Sequence, residues 1–109
     1  MAAQLTFAMY QPKKGKSAQL KKILKDHVPT LRELELITDQ PAHMVESENG
    51  TIIEIFEWTS TKSKDIAHKH PAVRAIWGKM MDICTFPPMQ KLPESAHAFP
   101  NFKVVKQSK

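Results

Sequence analysis

The chain has 109 residues, of which 41% are hydrophobic and 25% are charged, and its formal net charge is +5. This length suits one domain (residues 1–109), and since no run of about 18 apolar residues occurs, we expect no membrane span. The single cysteine, Cys84, excludes an internal disulfide and favours a cytoplasmic protein, as does an N-terminus without a secretory-signal pattern.

Lysines supply most of the positive charge, because Arg32 and Arg74 are the two arginines. Nucleic-acid binding favours arginines and exposed aromatic side chains interleaved with the charge. No aromatic residue lies between positions 11 and 44, where many of the lysines occur. The sequence therefore predicts solvated lysine faces and no nucleic-acid partner.

The first half of the chain predicts a strand over residues 4–11 and then a helix that begins near Ser17 as its N-cap. Pro29 predicts a kink or a break in this helix near His27. The apolar stripe of the helix has spacings of three and four residues and comprises Leu20, Leu24, His27, Leu31 and Leu34.

The second half opens with a short strand at 42–48 and an Asn-Gly hairpin turn, which leads into a strand at 51–58. A short helix at 61–69 follows, and Pro71 opens another helix. A final strand is predicted at 102–105. The stripe of the helix that Pro71 opens comprises Val73, Ile76, Trp77, Met80, Met81 and Cys84.

The strand at 51–58 is apolar on both faces, with Ile53 and Ile55 on one side and Ile52, Phe56 and Trp58 on the other. A sheet in a small domain usually has one apolar and one polar face. Helices can cover one face of this sheet, so a second copy of the chain is the expected cover for the other.

The predicted order is strand, helix, strand, strand, helix, strand. This is the ferredoxin-like βαββαβ arrangement of an α+β fold, with an antiparallel four-stranded sheet and helices on one face. Two such sheets that pack open face to open face would form a homodimer.

Several short segments of the chain match a known group of proteins: residues 10–16 (YQPKKGK), 57–60 (EWTS), 67–73 (AHKHPAV), and 92–95 (LPES) before a Phe-rich stretch at 99–102. In these segments the chain resembles the antibiotic-biosynthesis-monooxygenase-like superfamily of dimeric α+β barrels, including a bacterial subgroup of uncharacterised members. The resemblance implies a homodimeric barrel and an oxidoreductase-type activity that needs no cofactor. The superfamily also contains isomerase-like members, haem-degrading enzymes and proteins without a known reaction, so its fold does not settle the function.

The haem-degrading branch uses an Asn on the first strand and a Trp and a His on the last helices. Residues 5–10 of this chain contain no Asn. Trp77, His68 and His70 have the residue types of that branch but not its order along the chain, so haem degradation is disfavoured.

Three residues are candidates for catalysis. Glu54 shares a strand face with apolar residues, where a carboxylate must pair or take up a proton, so it is a candidate general base. The alternative is a locally exposed strand edge with Glu54 paired to a lysine across the dimer.

His68 and His70 are candidate acids or bases, but their spacing of two does not suit a metal pair on one helix, and no metal is predicted. The alternative for His70 is a cap on the helix that Pro71 opens.

Four residues are candidates for substrate binding: Tyr10, His43, Trp58 and Trp77. Each has a structural alternative, because tyrosines at strand ends and tryptophans at these periodicities usually pack in the core. Cys84 is interpreted as a small buried hydrophobe rather than a nucleophile.

Two functions follow as hypotheses. One is a cofactor-independent, monooxygenase-like enzyme that acts on a small aromatic or polyketide-like molecule, with Glu54 or one of the two histidines as base. The other is a small-ligand-binding or stress-related dimeric domain without turnover. The substrate is not specified by the sequence.

Overall fold

The computed structural model describes residues 2–106 as an α+β fold, in which one antiparallel sheet of five strands packs against three helices. The elements in chain order are β1 (Gln4–Pro12), α1 (Ser17–Glu33), β2 (His43–Glu46), β3 (Ile52–Trp58), α2 (Thr61–Lys69), α3 (Pro71–Met81), β4 (Cys84–Thr85), two short 3-10 helices (Met89–Lys91 and Pro93–Ala96) and β5 (Lys103–Val104).

The strands lie in the order β4-β1-β3-β2-β5, which places β3 at the centre of the sheet. The prediction of four strands is corrected to five, because β4 was not foreseen. Cys84 belongs to β4 and not to the stripe of α3, since it pairs with Pro12 while Thr85 pairs with Gln11. A strand of two residues has no periodicity that a sequence can display.

Helix α1 continues through Pro29 as one helix, so the predicted break is wrong. Leu24 and Leu31, on either side of the proline, are fully buried. Their packing offsets the backbone hydrogen bond that a proline removes from a helix. The helix also begins one residue earlier than predicted: Lys16 is the N-cap, and Ser17 is the first helical residue.

The hairpin and the two later helices agree with the predictions. Gly50 has a φ of 89°, a left-handed conformation that favours glycine, and the amide of Ser47 donates to the carbonyl of Thr51 across the turn at 2.8 Å. Helix α2 spans the predicted residues, and α3 begins at Pro71.

The helices cover one face of the sheet, and two clusters of buried side chains fill the space between them. Central members of these clusters from the sheet are Tyr10, Met44, Ile52, Phe56 and Trp58, and those from the helices are Leu20, Leu24, Val28, Leu31, Ala67, Val73 and Met80.

The opposite face of the sheet is partly covered by residues 86–102, which we call the C-terminal strap. Leu92 of the strap packs in a buried cluster with Met9 and Ile53. Leu5 and Phe7 farther along β1 remain 58% and 46% exposed. The expectation that a second copy of the chain covers this face is therefore corrected in part, because the strap of the same chain covers the surface around Met9 and Ile53.

Glu94 fastens the strap to the hairpin between β2 and β3. The Ser47 hydroxyl donates to Oε1 of Glu94 at 2.6 Å, and the backbone N–H of Glu48 donates to Oε2 at 2.8 Å. Desolvation raises the pKa of Glu94, but these hydrogen bonds outweigh it and hold that pKa below its ordinary value. The LPES segment thus has a structural use, with Leu92 as an apolar anchor and Glu94 as a polar one.

Candidate active site between the sheet and the helices

A cavity of about 430 Å³ lies between the helix-covered face of the sheet and helices α1, α2 and α3. Its volume falls within the roughly 300–1,000 Å³ that small-molecule sites occupy. The buried part of its wall includes Tyr10, His27, Phe56, Trp58 and Met80, and its exposed rim includes Lys64, His68, Met81 and Phe86. The walls are thus mainly aromatic and apolar, with a few polar groups.

Glu54 lies at the centre of a buried hydrogen-bond network behind this cavity. It is 1% exposed and pairs across the sheet with Ala8, so its side chain points to the helix-covered face. The phenol of Tyr10 donates to Oε1 of Glu54 at 3.0 Å. Nδ1 of His27, from α1, lies 2.7 Å from the same oxygen. Strand β3 is central and Glu54 pairs with these two side chains, so the alternative of an edge position with a lysine partner is wrong.

Trp77 determines which nitrogen of His27 carries the proton. The indole Nε1–H of Trp77 donates to Nε2 of His27 at 2.9 Å. An indole nitrogen can only donate, so Nε2 must be the acceptor and carries a lone pair. The proton of the neutral imidazole is then on Nδ1, from which it is donated to Glu54. A carboxylate that orients a histidine through Nδ1 and leaves Nε2 basic is a common arrangement for a general base.

The second oxygen of Glu54, Oε2, has no hydrogen-bond partner among residues 2–106 although it is buried. A buried, unpaired carboxyl oxygen costs free energy, because most buried polar atoms in proteins have a hydrogen-bond partner.

Tyr10 is a hydrogen-bond donor and not a base. Burial, the nearby charge of Glu54 and the hydrogen bond to Glu54 raise the pKa of its phenol well above the ordinary value. The phenol therefore stays protonated and holds Oε1 of Glu54 in position.

Of the seven candidate residues, Tyr10, Trp58, His68 and Trp77 line the cavity, Glu54 lies behind it, and His70 and His43 lie elsewhere. The His68 ring contacts Trp77 edge to face, with 4.8 Å between ring centroids, and lies at the exposed rim. His70 accepts a hydrogen bond from the backbone N–H of Ala72 and caps α3, which is the structural alternative given above. His43 is exposed and pairs with Ile55, so it points to the opposite face of the sheet.

His27 is the functional candidate that sequence reasoning missed. It was assigned to the apolar stripe of α1 without a role. The signal was present, because a histidine among leucines on a buried stripe needs a hydrogen-bond partner. Glu54 is the matching polar residue on an otherwise apolar strand face.

No cluster of three or more His, Cys, Asp or Glu side chains arranged for a metal ion occurs among residues 2–106. Cys84 is buried and its thiol donates to the carbonyl of Met80 at 3.1 Å. Burial raises the pKa of this thiol, and nearby Lys13 offsets that effect only in part. The thiol is therefore a poor nucleophile.

No protein-family model, curated protein sequence or solved structure matches this chain. In the described part of the chain, no helix has both the length and the apolar character needed to cross a bilayer.

Proposed function

We propose that the protein is an enzyme that removes a proton from a small aromatic or polyketide-like molecule in the cavity and lets the resulting anion react with dioxygen, without a bound cofactor. The observation that carries this proposal is the buried pair of His27 and Glu54, 2.7 Å apart, at the wall of an aromatic cavity. Such a reaction needs a base and a site that excludes water.

His27 is the base in this proposal, and Glu54 positions it. Nε2 of His27 takes the proton from the substrate, while the Oε1 oxygen of Glu54 holds Nδ1 and stabilises the imidazolium that forms. Trp77 must first release Nε2, because its indole N–H occupies that lone pair. A substrate that displaces the indole completes the site, so ligand binding and activation of the base are one event.

The reaction balances without an external reductant. A ring methylene beside a carbonyl group gives its proton to Nε2, and the carbanion passes electrons to dioxygen. The carbon gains one oxygen atom as a new carbonyl, and the second oxygen atom leaves as water. The methylene carbon is oxidised by four electrons, and dioxygen is reduced by four.

We also infer a homodimer in which two ferredoxin-like units pack sheet to sheet as an α+β barrel. Leu5 and Phe7 lie beside each other on one strand face that the strap leaves exposed. Wetted apolar surface of this kind favours association, because its burial releases water. The single reduced cysteine, Cys84, suits a cytoplasmic location.

A small-ligand-binding domain without turnover is the second candidate function. The Trp77–His27 hydrogen bond favours it, because a lone pair that the protein itself occupies performs no chemistry. The two candidates differ in one respect, which is whether Trp77 releases His27 when a ligand enters.

The test is oxygen consumption with tricyclic aryl ketones that have an acidic ring methylene, and with phenols and quinols. We expect Glu54→Gln and His27→Gln to lower the rate by roughly 10²–10⁴-fold, the usual contribution of a general base. His43→Gln is the matched control, since His43 lies on the opposite face of the sheet. Equal rates in all four proteins would remove the pair as catalysts, and saturable binding without oxygen uptake would establish the second candidate.

A further inference from the structure

The rim of the cavity carries two side chains of one helix that can donate hydrogen bonds to an anion. Lys64 and His68 of α2 are four residues apart and therefore lie on the same helical face. Both line the cavity and both are exposed. Lys64 has no carboxylate partner among residues 2–106, where the recorded ion pairs are Lys21–Glu46 and His27–Glu54.

The ring contact between His68 and Trp77 places this rim next to the base. The centroids of the two rings are 4.8 Å apart. The indole N–H of the same Trp77 donates to Nε2 of His27. A ligand that touches His68 therefore also lies beside the indole that must move. The rim and the buried base are connected through one side chain.

The rest of the wall offers apolar and aromatic surface. Phe56 and Trp58 contact each other edge to face, with 5.1 Å between ring centroids, and both line the cavity. The site thus combines an apolar, aromatic interior with a rim that carries a lysine and a histidine, and each end can select a different part of a ligand.

We propose that the ligand of this cavity is an aromatic acid, whose carboxylate pairs with Lys64 and His68 while its ring system lies against Trp58 and Trp77. This inference rests on the proposed function only in taking the cavity as the ligand site, and it adds the chemical class of the ligand. The carboxylate accepts charge-assisted hydrogen bonds from the Lys64 ammonium and a His68 ring N–H. With the carboxylate held at the rim, the opposite end of the ligand is directed toward Nε2 of His27.

The test is a pair of ligands that differ in charge but hardly in shape, 2-naphthoate and 2-naphthamide, titrated by calorimetry. We expect the wild-type protein to bind the naphthoate about tenfold more tightly, the size of one charge-assisted hydrogen bond. Lys64→Gln should remove this preference and leave the naphthamide affinity unchanged. Lys62→Gln is the matched control, because Lys62 is an exposed lysine of the same helix that does not line the cavity.

Three outcomes would overturn the inference: equal affinities of the wild-type protein for both ligands, an equal loss in the Lys62 and Lys64 variants, or no binding of either ligand. An equal loss would indicate a general effect of the net charge. The inference and the proposed function fail separately. If Lys64 selects the acid while Glu54→Gln leaves oxygen uptake unchanged, the acid site stands and the proton abstraction is excluded.

Discussion

Nδ1 of His27, on the longest helix, lies 2.7 Å from Oε1 of Glu54, at the centre of the sheet. Each residue is a polar member of an otherwise apolar surface, and each gives the other a hydrogen-bond partner. Tyr10 and Trp77 extend the contact on either side, so four side chains from two strands and two helices form one buried chain of hydrogen bonds. Such a network is fully favourable only when every member is present.

Glu54→Ala should destabilise the protein much more than Tyr10→Phe. The first change leaves two neutral buried donors, on His27 and Tyr10, without their acceptor, and at about 1–3 kcal/mol for each we expect the free energy of unfolding to fall by about 2–6 kcal/mol. The second removes one hydrogen bond from an oxygen that His27 still occupies, which costs about 1 kcal/mol. Urea unfolding of both variants measures the difference. Equal losses would contradict the central position of Glu54.

Trp77→Phe should free Nε2 of His27. The phenyl ring keeps most of the packing but has no N–H to donate to Nε2, while Glu54 still accepts from Nδ1–H, so the tautomer is kept and Nε2 loses its hydrogen bond. The ¹⁵N chemical shifts of the imidazole report this directly. Trp58→Phe is the control, because it changes a tryptophan of the same cavity and keeps the Trp77–His27 bond. An unchanged Nε2 shift in the Trp77 variant would show that the indole N–H does not occupy the lone pair of this nitrogen.

The strap should loosen in acid because of Glu94. Its pKa in the folded protein is below the ordinary value of 4.5, so its carboxylate stabilises the fold at any pH above that value. This contribution declines as the pH falls below 4.5 and is lost once the pH passes below the folded pKa. Hydrogen exchange of the strap amides at pH 6 and pH 3 measures it.

Glu94→Gln should remove that pH dependence of the strap, while Glu48→Gln should retain it. The Glu48 variant is a fair comparison, because Glu48 contacts Glu94 through its backbone N–H and not through its carboxylate. If the protection of the strap amides, relative to their intrinsic exchange rates, falls equally in acid in wild type and in the Glu94 variant, other carboxylates control the strap.

Phe7→Ser should weaken the proposed dimer at least tenfold, because a central aromatic side chain is a frequent determinant of interface affinity. Ile66→Ser is the control, since Ile66 is exposed to a similar degree but lies on α2. Sedimentation across a range of concentrations measures both. A wild-type protein that stays monomeric at high micromolar concentration contradicts the dimer.

Much of the fold could be predicted because its signals are local. The alternation along residues 51–58 assigned Glu54 to the face of Ile52, Phe56 and Trp58, and the pairing of β3 with β1 agrees. The Asn-Gly turn and Pro71 marked element boundaries through backbone preferences that need no partner.

The rest depends on contacts between distant residues. His27 and Glu54 are 27 positions apart, and their pairing follows from how α1 lies on the sheet, which no local pattern specifies. Strand β4 and the strap were missed for a related reason, because two-residue strands and 3-10 turns have no period. The predicted break at Pro29 did not occur, because the packing of α1 against the rest of the fold outweighs the tendency of a proline to end a helix.

The two outermost strands, β4 and β5, contain two residues each. An edge strand with many free N–H and C=O groups is a template on which further chains can add, and short edges remove that hazard. Strand β4, however, pairs only with Gln11 and Pro12, so the outer edge of β1 over residues 4–10 has no ladder partner among the described strands. Addition of a further strand is therefore limited beside β4 and β5 but remains open along this part of β1.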